Sequence, residues 1–285
     1  MTTQTILITG ASSGIGRDTA LALARAGHTV IAAARRLPAL EALAIEAPSI
    51  VPLRLDVDDP ASIADAVAAV DRLTNGRGLD ALVNNAGFAT AGAIADLPDR
   101  ALRAQFETNV FGLVALTRAL LPPMLARGAG RIVNVSSVSG RIPAPLLGAY
   151  HASKYALEAL SDALRIELAP FGVRVVIVEP GTIRTEFASR TMAEAHGARD
   201  EASRYASVYA RTAEIEQRFE RIAGGTAPVV RAIERALMSR RPSTRYVAPR
   251  RFVLAIALFR LLPTCWLDAI LARAFGLTRR QLGAG

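Results

Sequence analysis

Apolar runs of strand length alternate with amphipathic stretches from the start of the chain. The runs occupy residues 5–9, 29–33, 51–55, 81–83, 131–135, 173–178 and 245–247. Their apolar residues are contiguous, not alternating, which predicts strands covered on both faces. The stretches 19–26, 63–73, 101–125 and 152–168 repeat apolar residues at intervals of three and four, and this spacing predicts helices with one buried face. The alternation predicts an α/β fold: a doubly wound, Rossmann-type parallel sheet of about seven strands with helices on both faces.

The rhythm breaks after Val178. The next strand lies far downstream, beyond a charged helical stretch at 201–222 and the Gly224-Gly225 pair. An excursion leaving the carboxyl edge of a parallel sheet is the expected place for a substrate flap, here about 183–225. Residues 1–249 are thus expected to form one domain. Residues 250–285 form a helical extension, with apolar segments 252–262 and 266–275 parted by Pro263.

Composition narrows the classes. No run of about 20 apolar residues is present, so no transmembrane segment is expected. The polar start Thr2-Thr3-Gln4 does not read as a secretory leader, so the protein is expected to stay in the cytoplasm. Cys265 is the only cysteine, and His28, His151 and His196 are scattered, so no disulfide and no metal site are expected. The net charge of +9 is mostly arginine spread over helices without interleaved aromatics. An anionic cofactor and a solvated surface account for it better than nucleic acid does.

After the first run comes Thr9-Gly10-Ala11-Ser12-Ser13-Gly14-Ile15-Gly16, leading into a helix. Glycines there let backbone N–H groups approach a pyrophosphate at the positive end of the helix. Tight strand-to-helix turns also use glycine for steric reasons alone, so position at the first turn carries the argument. The second strand ends in Ala34-Arg35-Arg36, with no carboxylate to bind a ribose 2′-hydroxyl. Arg35 and Arg36, with Ser12 as a neutral partner, suit a 2′-phosphate, so the expected cofactor is NADP(H). The competing reading makes these arginines the solvated start of the next helix.

Tyr150-His151-Ala152-Ser153-Lys154 opens a helix and sets Tyr150 and Lys154 one turn apart on one face. A neighbouring ammonium favours a phenolate, so Tyr150 is the candidate acid/base. His151 stands about 100° away around the helix and reads as packing or helix surface. The strand at 131–135 ends in Ser136-Ser137, and Asn109 interrupts an otherwise apolar helix.

Thr9 to Gly16, Asn84-Asn85-Ala86-Gly87, Asn109, Ser137 thirteen residues before Tyr150, Lys154 and Pro180-Gly181 occur in one order. Together they resemble the short-chain dehydrogenase/reductase family over residues 5 to about 185. The stretch 178–187 and the long tail are similar to its 17β-hydroxysteroid and retinol dehydrogenase branch. The resemblance implies hydride transfer between NADP(H) and a carbonyl or secondary alcohol, with a tetrad of Asn109, Ser137, Tyr150 and Lys154. Ser136 competes for the serine role, and the interval to Tyr150 selects Ser137. In that scheme Tyr150 exchanges the proton, and Ser137 stabilises the oxygen. Lys154 lowers the Tyr150 pKa and holds the nicotinamide ribose, and Asn109 anchors a water leading from Lys154 to solvent.

By similarity, Asp56 and Val57 flank the adenine, and Asn85, Ala86 and Gly87 line the cofactor cleft. Pro180, Gly181, Thr182, Ile183 and Thr185 face the nicotinamide. Apolar walls are expected from 142–147 and 187–192, so the expected substrate is lipophilic. Two other classes stay open: an isomerase or dehydratase of the wider family, and an NADP-binding regulator. The helices at 101–125 and 152–168 carry more apolar residues than one buried stripe needs, which predicts a homodimer or homotetramer. Alternatively the C-terminal helices cover that face within a monomer, or they touch a membrane surface peripherally through Arg250, Arg251 and Arg260.

Overall fold

The computed structural model describes residues 3–187 and 203–282. Seven parallel strands form one sheet in the order β3-β2-β1-β4-β5-β6-β7. They are β1 (Thr5–Thr9), β2 (Thr29–Ala34), β3 (Ile50–Arg54), β4 (Ala81–Asn84), β5 (Gly130–Val135), β6 (Val173–Pro180) and β7 (Arg245–Ala248). Each expected run is a strand, shifted or extended by a residue or two at its ends. The contiguous apolar runs follow from burial on both sides: Ile6, Ile8, Val30 and Ala32 pack into one core, while Leu7, Ile31 and Ala33 pack into the other.

Helices α1 (Gly14–Arg25), α2 (Leu37–Glu46) and a helix before β7 at Ala227–Met238 lie with the first core. Two of these are additions to the sequence expectation, since only part of α1 carries a clear apolar period. The opposite core is covered by α3 (Pro60–Leu73), α5 (Leu113–Leu120), α6 (Pro122–Arg127) and α7 (Gly148–Leu168), with α4 (Asp99–Phe106) packed against α7. The expected continuous helix over 101–125 is corrected. Six residues, Glu107–Gly112, wind as a π-helix between α4 and α5, and the chain breaks again at Leu121 before Pro122.

The expected flap is partly described. Its residues 188–202, including 188–192 of the expected apolar wall, lie outside the described residues. Beyond them come α8 (Ala206–Tyr209), α9 (Thr212–Ile222) and α10 (Ala227–Met238), then after β7 α11 (Phe252–Leu261), α12 (Thr264–Phe275) and α13 (Arg279–Leu282). The charged stretch read as one helix at 201–222 is therefore two helices over its described part. Phe252 packs on Gly181, and α13 meets α8, so the extension sits at the β6–β7 end of the molecule. It does not cover α5 and α7: Phe111 stays 57% and Ile166 66% exposed. This removes the account in which the described C-terminal helices seal that face within a monomer.

The order of the strands reverses direction between β1 and β4, which opens a crevice at their carboxyl ends. The π-helical turns reach toward that crevice because Gly112 lets them close on the end of β3: a Cβ there would stand 2.3 Å from the Val57 carbonyl oxygen. Gly112→Ala is expected to cost roughly 1–3 kcal/mol through overpacking, measured as a lower urea midpoint; an unchanged midpoint would contradict this packing.

Candidate active site

The crevice is a cleft of about 410 Å³, within the range of small-molecule sites. At its floor, Thr9 Oγ1 accepts the backbone N–H groups of both Asn85 and Ala86 at 2.9 Å, and Asn85 Nδ2 donates to Thr9 O at 2.9 Å. The β1 and β4 turns are thus laced together. The fit has no room for side chains. Gly10 has φ +65°, and a Cβ on it would lie 2.9 Å from Ala86 Cα; one on Gly16 would lie 2.4 Å from Gly10 O. Ser13 ends the turn in extended backbone, and the first turn of α1 carries no acidic residue.

Gly10, Ser12, Ser13, Gly14, Ile15, Arg35, Arg36, Asp56, Val57, Asn85, Ala86, Gly87, Pro180, Gly181, Thr182, Ile183 and Thr185 all line this cleft, as do Ser137, Tyr150 and Lys154. Gly16 is instead buried under the turn, and Asn109 lies one layer behind the wall. Arg36 Nη2 reaches Ser12 Oγ at 3.4 Å and Glu186 Oε2 at 3.5 Å, both exposed and long, so neither contact ties the guanidinium firmly. Of the expected apolar wall, Leu147 and Phe187 face the cleft.

Tyr150 is nearly buried at the base of α7, with the Phe187 ring 5.6 Å away. Burial pushes its pKa up to about 12, and the Ser137 hydroxyl only partly offsets this. Lys154 Nζ donates to Val135 O at 3.0 Å and lies 5.8 Å from the Tyr150 ring centroid. Burial brings the Lys154 pKa down to about 8, opposed by the Glu158 carboxylate. Burial thus dominates the Tyr150 pKa in this structure, and the phenol rests protonated at neutral pH.

The two serines part company. Ser137 Oγ donates to Pro180 O at 3.3 Å and stands by the phenol. Ser136 also touches the cleft but borders Gly140 and turns its hydroxyl to the Glu158 carboxyl, whose pKa it draws down against burial. Asn109, in the π-helical turns, clamps Phe88: its Oδ1 accepts from Phe88 N at 3.1 Å, and its Nδ2 donates to Phe88 O at 3.0 Å and Ser153 Oγ at 3.1 Å. Its amide is committed there, and its Oδ1 would lie 3.0 Å from a Cβ on Gly87. His151 is buried, with Nδ1 on Ser139 O at 2.9 Å, so it packs and is not helix surface.

Sequence reading missed what lies beneath. Glu158, one turn beyond Lys154, and Glu179, just before Pro180, are both buried. Arg245 Nε reaches Glu158 Oε2 at 3.1 Å and Glu179 Oε1 at 3.2 Å, and Arg141 Nη1 reaches Glu179 Oε1 at 2.8 Å. Burial raises the Glu158 pKa. Asp58 and Thr108 also line the cleft, joined at 2.7 Å. Among the described residues, no group of three or more His, Cys, Asp or Glu could hold a metal ion.

A parallel sheet with a crevice at its reversal point, a glycine turn on one side and a buried tyrosine, serine and lysine on the other, is the architecture of the dinucleotide-dependent oxidoreductases. Within them, the family model for short chain dehydrogenase matches residues 4–196, and the chain belongs to that family. It is 38% identical over 268 residues to the uncharacterized oxidoreductase YbbO of Escherichia coli K12, covering 94% of each. It is 33% identical to an NADPH-dependent 3-dehydrocapnine reductase of Ornithobacterium rhinotracheale, covering 93% of this chain and 94% of that protein. To rabbit 11-beta-hydroxysteroid dehydrogenase type 2 it is 40% identical, over 66% of this chain and 47% of that protein, a relative consistent with the resemblance to the hydroxysteroid branch. Among solved structures, a short-chain dehydrogenase from Streptomyces avermitilis aligns over 100% of both chains at 35% identity and TM-score 0.77. One from Burkholderia phymatum in complex with NAD gives TM-score 0.76 at 25% identity over 90% and 92%. One from Sphingobium yanoikuyae in complex with NADPH gives 0.69 at 27% over 96% and 94%.

The buried lysine sets a pH signature. The unfolded chain keeps the Lys154 proton to near the ordinary lysine value of 10.5, while the folded chain releases it near 8. Between these the unfolded state binds more protons, so stability rises with pH; the opposite contribution of Tyr150 begins only above 10. From pH 8 to 10 the wild type is expected to gain up to roughly 2 kcal/mol relative to Lys154→Met, read by urea unfolding at both pH values. Parallel profiles for the two proteins would show that the ammonium is not desolvated.

Proposed function

We propose that this chain reduces the carbonyl of a lipophilic substrate to a secondary alcohol with NADPH, and runs the reverse reaction with NADP+. The observation that carries the reading is Tyr150: a buried phenol, protonated at neutral pH, beside the Ser137 hydroxyl in a cleft that runs from the glycine turn and the end of β2 to the Pro180-Gly181 turn. The tight β1 and β4 turns suit a pyrophosphate, and the arginines at the end of β2, without a carboxylate at that position, suit a 2′-phosphate. The Burkholderia phymatum structure is a complex with NAD and the Sphingobium yanoikuyae structure one with NADPH, so the choice rests on Arg35 and Arg36.

Bound NADPH supplies the hydride. Tyr150 gives its proton to the carbonyl oxygen as negative charge develops there, and Ser137 donates a hydrogen bond to the same atom. Lys154, held by the Val135 carbonyl, places a positive charge behind the phenol and stabilises the phenolate left by proton transfer. Asn109 fixes the Phe88 loop and the α7 face through Ser153, which orients the wall beside Lys154; a water on its remaining acceptor would carry the proton onward. The 3-dehydrocapnine and hydroxysteroid relatives, with the Leu147 and Phe187 walls, support a lipophilic carbonyl or alcohol. The apolar exposure of Phe111, Tyr155, Leu160 and Ile166 on and beside α5 and α7 supports a two-fold pairing through these helices.

Tyr150→Phe removes only the hydroxyl that carries the proton. Turnover should fall at least roughly hundredfold while NADPH binding persists, followed by absorbance over a panel of steroid, retinoid, long-chain and small carbonyls. Near-normal turnover would eliminate the mechanism. Arg35→Asp should shift preference toward NADH by roughly tenfold to a hundredfold, the worth of a charge-assisted phosphate contact. Tighter binding of NADH than NADPH by the unmodified chain would sink the cofactor assignment.

A further inference from the structure

Helix α11 is sealed on one side only. Ile256 is buried, with Phe252 and Phe259 partly so, whereas Val253, Leu254, Ala257, Leu258 and Leu261 are exposed. At about 100° per residue these five fall in one stripe about 140° wide, uninterrupted by a polar side chain. Arg251 and Arg260 stand at its two edges by the same geometry. Leu254 is 66% and Leu261 80% exposed, in contrast to the scattered single apolar residues of an ordinary surface. Helix α12 repeats the arrangement in shorter form: Trp266 and Ile270 are exposed one turn apart, with Arg273 next to them on the helix surface. Across 250–282 the only acid is Asp268, against Arg250, Arg251, Arg260, Arg273, Arg279 and Arg280.

We propose that α11 and α12 form an interfacial anchor that docks on the surface of an anionic lipid bilayer, with the apolar stripe at the acyl boundary and the arginines among the headgroup phosphates. No described helix is long and apolar enough to cross a membrane, so the helices lie on the surface and do not span it. Charge selects this occupant over a second copy of the chain. Two copies meeting through this face would bring arginine-edged stripes together, with Asp268 the one acid that residues 250–282 supply to pair them, whereas anionic headgroups complement every edge. Phe252, at the start of α11, packs on Gly181 in the wall of the cleft, so an anchored chain would hold the cleft beside the lipid surface. The inference stands on this surface and does not depend on the proposed reaction.

Trp266 is the only tryptophan and lies on the proposed anchor, which makes emission a direct reporter. The full chain should float with vesicles of phosphatidylcholine and phosphatidylglycerol, with Trp266 emission moving to the blue, and should bind pure phosphatidylcholine and high-salt samples much more weakly. The double variant L254E/L258E should lose vesicle binding on the order of tenfold or more while keeping NADPH binding and its mass by light scattering. If that variant fails to fold, quenching of Trp266 in the unmodified chain by bromine-labelled acyl chains decides. Absence of flotation and quenching, or equal binding to both lipid compositions, overturns the proposal. So does a fall in mass of L254E/L258E from dimer to monomer, which would assign the stripe to a second copy. Flotation is read without turnover, so an enzyme that reduces substrate but does not float refutes only the anchor, and one that floats without turnover refutes only the reaction.

Discussion

The close approach of the β1 turn to the β4 turn is the constraint from which the site is built. Thr9 Oγ1 gathers the Asn85 and Ala86 N–H groups, and Gly10 sits where any Cβ would meet Ala86. That contact fixes Gly87, whose missing Cβ leaves space 3.0 Å from Asn109 Oδ1 and 3.9 Å from Lys154 Nζ. A short chain of backbone contacts therefore runs from the glycine turn to the lysine of α7. The two ends of the cleft are held in one rigid frame, which is what hydride and proton transfer to adjacent atoms require.

Holding a lysine and a tyrosine out of water has a cost, and the protein offsets it below the site. Glu158, Glu179, Arg141 and Arg245 join α7, the end of β6, the segment after Ser137 and the start of β7. These elements carry Tyr150 and Lys154, the Pro180-Gly181 turn and Ser137. Ion pairs so buried contribute little net stability against apolar packing, yet removing one partner would leave an uncompensated charge. Their effect is to fix where the elements sit, and Glu158 also keeps the neighbouring Lys154 closer to its charged form.

The legible parts of the chain were those whose signal is local. Strands buried on both faces read as apolar runs, and Tyr150, Lys154 and the glycine turn declare themselves by spacing alone. Ser137 over Ser136 needed the family interval, and the structure separates the two by direction: one toward the phenol, the other toward Glu158. The Arg245 network joins residues far apart in sequence, and nothing around Arg245 distinguishes it from a surface arginine. Helix α2 entered only as the helix that Arg35 and Arg36 would open, with no range, because it is apolar on most sides; α10 was missed because it follows closely on the Gly224-Gly225 punctuation. The rise of the Tyr150 pKa was not legible because pair spacing says nothing about desolvation, which burial in the fold sets.

Two apolar surfaces remain on the described chain, and their charged surroundings differ. Around Phe111, Tyr155 and Ile166, α4, α5 and α7 carry both signs: Asp99, Glu107, Asp162 and Glu167 with Arg103, Arg118 and Arg165. A two-fold axis through such a surface can set each acid near a base of the other copy, so self-association there gains area without accumulating like charge. Around Leu254 and Trp266 arginine outnumbers the single acid Asp268, and the same operation would concentrate positive charge. Apolar area alone does not distinguish a protein partner from a lipid one. The sign pattern at its edge does, and it is what supports the proposed pairing of the helices of the sheet layer with a second copy and the proposed docking of the C-terminal pair on an anionic surface.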